Sequence, residues 1–159
     1  MIFEFGTYRI DADIESTRAF YRDHAVKIAD ACDCADCQNF DKAIRRVSAD
    51  VLHFFDSLGI APCKGAEVYN VTGGEPDTNG LILYHGFYHL SASLLKGDPI
   101  WIPLEKQGKR LNMSAFYALN EHFRIGFTEE VELLEDNFPK PCIQLEILVH
   151  LPWILDSKY

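Results

Sequence analysis

Positive charge is scarce in this sequence. Its 159 residues carry 15 Lys and Arg against 24 Asp and Glu, a net charge of −9. Phosphate backbones and anionic lipid surfaces are held by cationic faces, so the composition argues against nucleic-acid and membrane-surface partners. Long apolar runs are missing as well. The longest, Ile147 to Leu155, is interrupted by His150 and Pro152 and falls far short of the roughly 20 residues that span a bilayer. The opening residues, Met-Ile-Phe-Glu-Phe, have no basic stretch leading into an apolar core, so no secretory signal is expected. There is no Gly-rich phosphate loop, His-Glu-x-x-His helix, Gly-x-Ser-x-Gly elbow or EF-hand pattern. The motif-borne forms of those chemistries are therefore absent. No internal repeat, low-complexity tract or linker divides the chain, and residues 1–159 are expected to form a single domain.

What is present suits a packed core. Hydrophobic residues make up 48% of the chain and aromatics 13%. Residues 2–10 carry Ile2, Phe3, Phe5, Tyr8 and Ile10 in a pattern that predicts one strand. Asp11 and Asp13 supply N-cap chemistry for a helix near 14–24. The spacing of Cys37, Phe40, Ala43, Ile44 and Val47 predicts a second helix near 35–46. Ser48 opens a third, with Val51, Phe54, Phe55 and Leu58 on its apolar face and Gly59 after its end.

From Glu67 onward the sequence reads as strands: 67–72, 81–90 with a continuation to 95, 115–119, 123–127 and 142–151. A turn over 73–80 ends in Asn79-Gly80, and Gly86 within a strand predicts a bulge or a bend. Residues 96–113 read as a loop with a short strand, and Thr128-Glu129-Glu130 as a helical turn. Over 142–151, apolar residues alternate with Gln144, Glu146 and His150, which predicts one buried and one wetter face. Helices first and strands after give an α+β class: an antiparallel sheet with two or three N-terminal helices on one face.

The chemically loud feature is Cys32-Asp33-Cys34-Ala35-Asp36-Cys37. A Cys-x-x-Cys turn brings two thiolates to one tetrahedral zinc, normally joined by a second pair elsewhere. No second pair exists here, so the fourth ligand would be a single residue: Cys63, Cys142, His24 or His53. Cys63 is favoured because it follows the helix that ends at Gly59. The predicted metal set is Cys32, Cys34, Cys37 and Cys63. Two other readings compete with zinc. The thiols can simply pack as small hydrophobes, as Cys37 on its helix stripe suggests. Alternatively, Cys34 or Cys37 can act as a nucleophilic or redox thiol. The odd count of five cysteines and their close spacing point to reduced thiols and a cytoplasmic setting.

Tyr84, His85, Phe87 and His89 form a second candidate, the lining of a ligand pocket. On a regular strand His85 and His89 share a face about 13 Å apart. They therefore cannot share one metal unless Gly86 turns the chain, and they read as a half-exposed pair. Glu67 and Glu146 lie on apolar strands; one reading makes them a buried carboxylate pair, and the favoured one has each point to solvent or pair with an Arg. The acidic run Glu129, Glu130, Glu132, Glu135, Asp136 reads as a solvated loop, or as a patch for a basic protein partner.

The strings Cys34-Ala35-Asp36-Cys37-Gln38-Asn39-Phe40, Leu58-Gly59-Ile60, Ala66-Glu67-Val68-Tyr69, Tyr84-His85-Gly86-Phe87-Tyr88 and Leu151-Pro152-Trp153 together resemble a family of small bacterial cytosolic proteins with no assigned activity. The resemblance spans most of the chain and implies a bacterial, cytosolic origin. The sequence-level expectation is then a non-enzymatic domain that binds a basic protein partner, as an immunity-type protein would, or a small ligand. The alternatives are a zinc-stabilised domain and a thiol enzyme.

Overall fold

The computed structural model describes residues 1–23 and 26–156. Asp13 starts the first helix as its charge and position require. Its Oδ1 accepts the Ser16 N–H at 3.0 Å and its Oδ2 the Ser16 hydroxyl at 2.7 Å, an N-cap that satisfies a free helical donor. Helix α1 (Ile14–Asp23) buries Thr17, Phe20 and Tyr21. A one-turn α2 (Ile28–Ala31) and α3 (Ala35–Ala43) follow, α3 running on into a 3₁₀ turn at Ile44–Arg46. Helix α4 (Ala49–Ser57) buries Val51, Phe54 and Phe55. Gly59 ends it with φ +74°. A Cβ there would lie 2.7 Å from the Ile14 carbonyl, so glycine serves both the left-handed turn and the close approach of α1.

Residues 2–10 are not one strand. They form a hairpin of β1 (Ile2–Phe5) and β2 (Tyr8–Ala12), folded at Gly6, whose φ is +59°. The remaining strands are β3 (Glu67–Asn70), β4 (Leu81–Lys96), β5 (Trp101–Pro103), β6 (Lys109–Leu111), β7 (Tyr117–Asn120), β8 (Phe123–Thr128) and β9 (Cys142–Pro152).

The long β4 is the spine. β9 runs antiparallel along one side of it, from Leu81 opposite Pro152 to Ser91 opposite Cys142. The other side is shared by β3 near its start and β2 near its end. The sheet order is β1-β2-β4-β9-β8-β7, with β3 beside β4 and β5–β6 a separate hairpin. All these pairings are antiparallel. With the helices, this is the α+β architecture expected. Gly86 makes no bulge, because the β4–β9 register is unbroken around it. Its missing side chain instead admits β3: a Cβ would stand 3.0 Å from the Glu67 carbonyl. Thr128–Glu130 is not helical either; the Thr128 hydroxyl accepts the Glu130 N–H where β8 ends.

On the helical side, Phe54 meets Phe5 and Phe123 edge-on at 5.3 and 5.7 Å, and Phe55 meets Tyr88 at 5.2 Å. Each such ring contributes about 1.5–3 kcal/mol through burial. The sheet is curled enough that Phe5 of edge strand β1 reaches Tyr117 of the opposite edge, β7, at 6.4 Å.

The second face of the sheet is covered too. The β5–β6 hairpin and the segment 129–141 lie over it, and Ile100 seats directly on Gly126, where a Cβ would meet Ile100 Cδ1 at 1.8 Å. The predicted wetter face of β9 is therefore buried at its centre: Gln144 is 1% exposed and Glu146 0%. Among the described residues no helix is long and apolar enough to cross a membrane.

Candidate functional site

The three clustered cysteines converge. Cys32 follows α2, Cys34 occupies the N-cap of α3, and Cys37 lies in the first turn of α3. Their sulfurs lie within 4.8 Å of one another. Two features hold them so. The Cys37 N–H donates to Cys34 Sγ at 3.4 Å, the ordinary N-cap bond with sulfur in place of oxygen. The Gln38 amide donates to the Ala29 and Cys32 carbonyls at 3.0 and 3.1 Å, tying α2 and its exit to α3. The Cys32 and Cys34 sulfurs are 3.1 Å apart.

The environment divides the thiols. Hydrogen bonding from Cys34 holds the Cys32 thiol below its ordinary range. Burial, reinforced by the neighbouring sulfurs, pushes the buried Cys37 thiol well above it. A cation between the three would reverse that cost, since a bound metal favours thiolates outright. Three soft donors at one point match zinc and leave a fourth coordination position for water or another donor.

Cys63 is not part of this group. It is buried in the 3₁₀ turn Pro62–Lys64, and the converging set among the described residues is Cys32, Cys34 and Cys37. The return of the chain after α4 places Cys63 in the core rather than at the cluster. His53 is on the exposed side of α4. Cys142 opens β9, and burial pushes its thiol up to about 11. His24 lies outside the described residues.

The expected pocket of Tyr84, His85, Phe87 and His89 does not form as one cavity. Alternation along β4 sends Tyr84 toward the helices, where its hydroxyl donates to the Asp36 carbonyl and accepts from Asn39. His85, Phe87 and His89 face the other way, and both histidines are buried rather than half exposed, at 2% and 5%. The cover over the sheet is the reason. His89 Nε2 donates to the Glu132 carbonyl at 2.8 Å, and burial holds its pKa below the ordinary histidine value. His89 also lines a cavity of about 180 Å³ with Phe20, Tyr21 and Lys64.

A polar network missed in the sequence occupies this covered face. Glu146 Oε2 accepts from His85 Nε2 at 2.7 Å. Its Oε1 accepts from Gln144 at 2.8 Å and from the Trp101 indole at 3.3 Å. Gln144 in turn accepts the Glu132 N–H at 2.8 Å, and His85 Nδ1 meets the Tyr69 hydroxyl. Glu146 thus pairs with a histidine, neither with solvent nor with an arginine, whereas Glu67 is exposed. Lys109 locks the cover from outside, pairing with Glu130 and Glu132 at 3.1 and 2.9 Å and lying 4.6 Å over the Trp101 ring. The acidic run is therefore a loop, as expected, and part of its charge is used to hold the β5–β6 hairpin.

Compared with protein-family models, with curated protein sequences and with solved structures, the chain matches none.

Proposed function

We propose that the chain is a metal-binding α+β domain in which Cys32, Cys34 and Cys37 hold one thiophilic divalent cation, zinc by preference. The observation that carries this reading is the convergence of three sulfurs within 4.8 Å on six consecutive residues. Two thiols packed only as small hydrophobes would have no reason to sit at the surface, yet Cys34 is exposed and Cys32 half-buried. The α3 N-terminus and the surrounding Asp30, Asp33 and Asp36 complete the setting. The helix end favours thiolates, and the aspartates draw a cation. Bound metal would fasten α2 to α3 and leave one coordination position toward solvent.

Elemental analysis of untagged protein purified from zinc-replete cells tests this. About one zinc per chain is expected, retained in Cys63→Ser and lost in a triple Cys→Ser variant at 32, 34 and 37. Less than about 0.1 zinc per chain overturns the reading, because structural zinc binds tightly.

A second reading, a reactive thiol, draws support from the lowered Cys32 thiol. It shifts the nucleophile from Cys34 or Cys37 to Cys32. Alkylation at neutral pH that is faster at Cys32 than at a free thiol, in protein stripped of metal, would favour it. Equal rates would set it aside.

A further inference from the structure

The buried network on the second face of the sheet has a direction. Glu146 is fully buried in the central strand β9, and Oε2 of its carboxylate can only accept from His85 Nε2. In the neutral imidazole that acceptor selects the tautomer with the proton on Nε2 and leaves Nδ1 as an acceptor. The bare Nδ1 faces the Tyr69 hydroxyl, which therefore donates. Tyr69 itself stands on the four-residue β3, the short strand beside β4, and is 44% exposed. A chain of three groups thus runs from a buried carboxylate, through a buried imidazole, to the part-buried hydroxyl of a half-exposed tyrosine. Gln144 and Trp101 hold the second carboxylate oxygen, so the carboxylate cannot swing away. This is the carboxylate–base–hydroxyl order that activates a nucleophile in acyl transfer, here ending on tyrosine.

We propose that Tyr69 is a nucleophile that takes an acyl group from an uncharged activated ester, with His85 accepting its proton and Glu146 positioning His85. The Tyr69 oxygen bonds to the carbonyl carbon as its proton passes to His85 Nδ1. The bond from that carbon to the leaving oxygen then breaks, and the proton on the imidazolium is given to the departing alcohol or phenol. The products are a Tyr69 ester and a free alcohol, with no oxidant or further reactant involved. Glu146 stabilises the imidazolium formed on the way.

The charge around the phenol selects the donor. Burial, followed by Glu146, Glu67 and Glu132, raises the Tyr69 pKa. A free phenolate is thereby disfavoured, so the attack must be base-assisted. The same carboxylates repel anionic phosphoryl donors and leave neutral esters as the compatible class. This inference is independent of the metal reading.

The chain carries its own control. Tyr117 is 39% exposed, nearly as much as Tyr69, but no histidine–carboxylate pair is found at its hydroxyl among the described contacts. Limited treatment of the intact protein with p-nitrophenyl acetate near pH 7.5, followed by peptide mapping, gives the acetylation ratio of the two tyrosines. A ratio above ten in favour of Tyr69 is expected, given that a positioned general base contributes about 10²–10⁴-fold. A lower ratio overturns the proposal. Glu146→Gln gives a second reading. Its amide can donate to His85, flip the imidazole tautomer and turn the Tyr69 hydroxyl from donor to acceptor. The preference should then fall at least tenfold with the fold intact. A folded Glu146→Gln protein that keeps the wild-type ratio also overturns the proposal.

Discussion

Replacing Glu146 by alanine removes the acceptor for three donors at once: the buried His85 Nε2 at 2.7 Å and Gln144 Nε2 at 2.8 Å, and the part-buried Trp101 Nε1 at 3.3 Å. A buried donor left without a partner costs about 1–3 kcal/mol. Some of this is offset, because Gln144 can turn and the desolvation of the carboxylate is no longer borne. Breaking a buried charge-assisted pair from one side costs about 3–5 kcal/mol in total, and that is the expected loss. Glu146→Gln is different in kind. Its amide oxygen can accept from Gln144 and Trp101 while its NH₂ donates to the other tautomer of His85, so every donor keeps a partner and the loss should be about 1–2 kcal/mol. Urea titration at pH 7.5, followed by tryptophan fluorescence, reads both variants. With m about 2 kcal/mol/M, the alanine variant should lower the midpoint by about 1.5–2.5 M. An alanine variant within about 1 kcal/mol of wild type, or a glutamine variant less stable than the alanine one, would refute the picture of a fully satisfied buried acceptor.

Three further outcomes are expected. Gly126→Ala should cost about 1–3 kcal/mol through overpacking, because its Cβ would stand 1.8 Å from Ile100 Cδ1. Ile100→Val, which removes that atom, should make the double variant less damaged than the sum of the two, and strict additivity would count against the contact. The His89 and His150 pKa values are both lowered, first by burial. The unfolded chain therefore binds more protons than the folded one just below about pH 6.5, and stability should fall as pH drops from about 7.5 to 5.5. A urea midpoint that is flat or rising across that window would contradict this. Asn39→Ala should loosen the end of β9, because the Asn39 amide donates to the Pro152 carbonyl and its oxygen accepts the Ile154 N–H. A loss of about 1–3 kcal/mol is expected from those two part-buried bonds, and one below about 0.5 kcal/mol would show that α3 does not anchor this segment.

Local spacing carried most of what the sequence disclosed. The helices follow from apolar residues three and four apart, and Cys32, Cys34 and Cys37 converge because six residues at a helix start cannot place them far apart. Cys63 lies outside the converging set, because its position depends on how α4 packs, which no short-range pattern encodes. The hairpin at Gly6 was hidden by apolar residues on both of its strands. Glu146 was misread for a related reason. Its neighbours Leu145 and Ile147 mark one apolar face, but whether the other face is wet depends on what covers it. Half of that cover, Trp101 of the β5–β6 hairpin, is 45 positions from Glu146, and the partner His85 on the neighbouring strand is 61 away. A signal was nonetheless present. A carboxylate, a glutamine and two histidines on two long apolar strands fit a covered polar layer better than a solvated face.

The most direct test of the metal centre is zinc K-edge X-ray absorption on the zinc-loaded protein. Three sulfur scatterers at about 2.3 Å with one lighter atom are expected from Cys32, Cys34 and Cys37. A shell of nitrogen and oxygen alone, or four sulfurs including Cys63, would contradict the site.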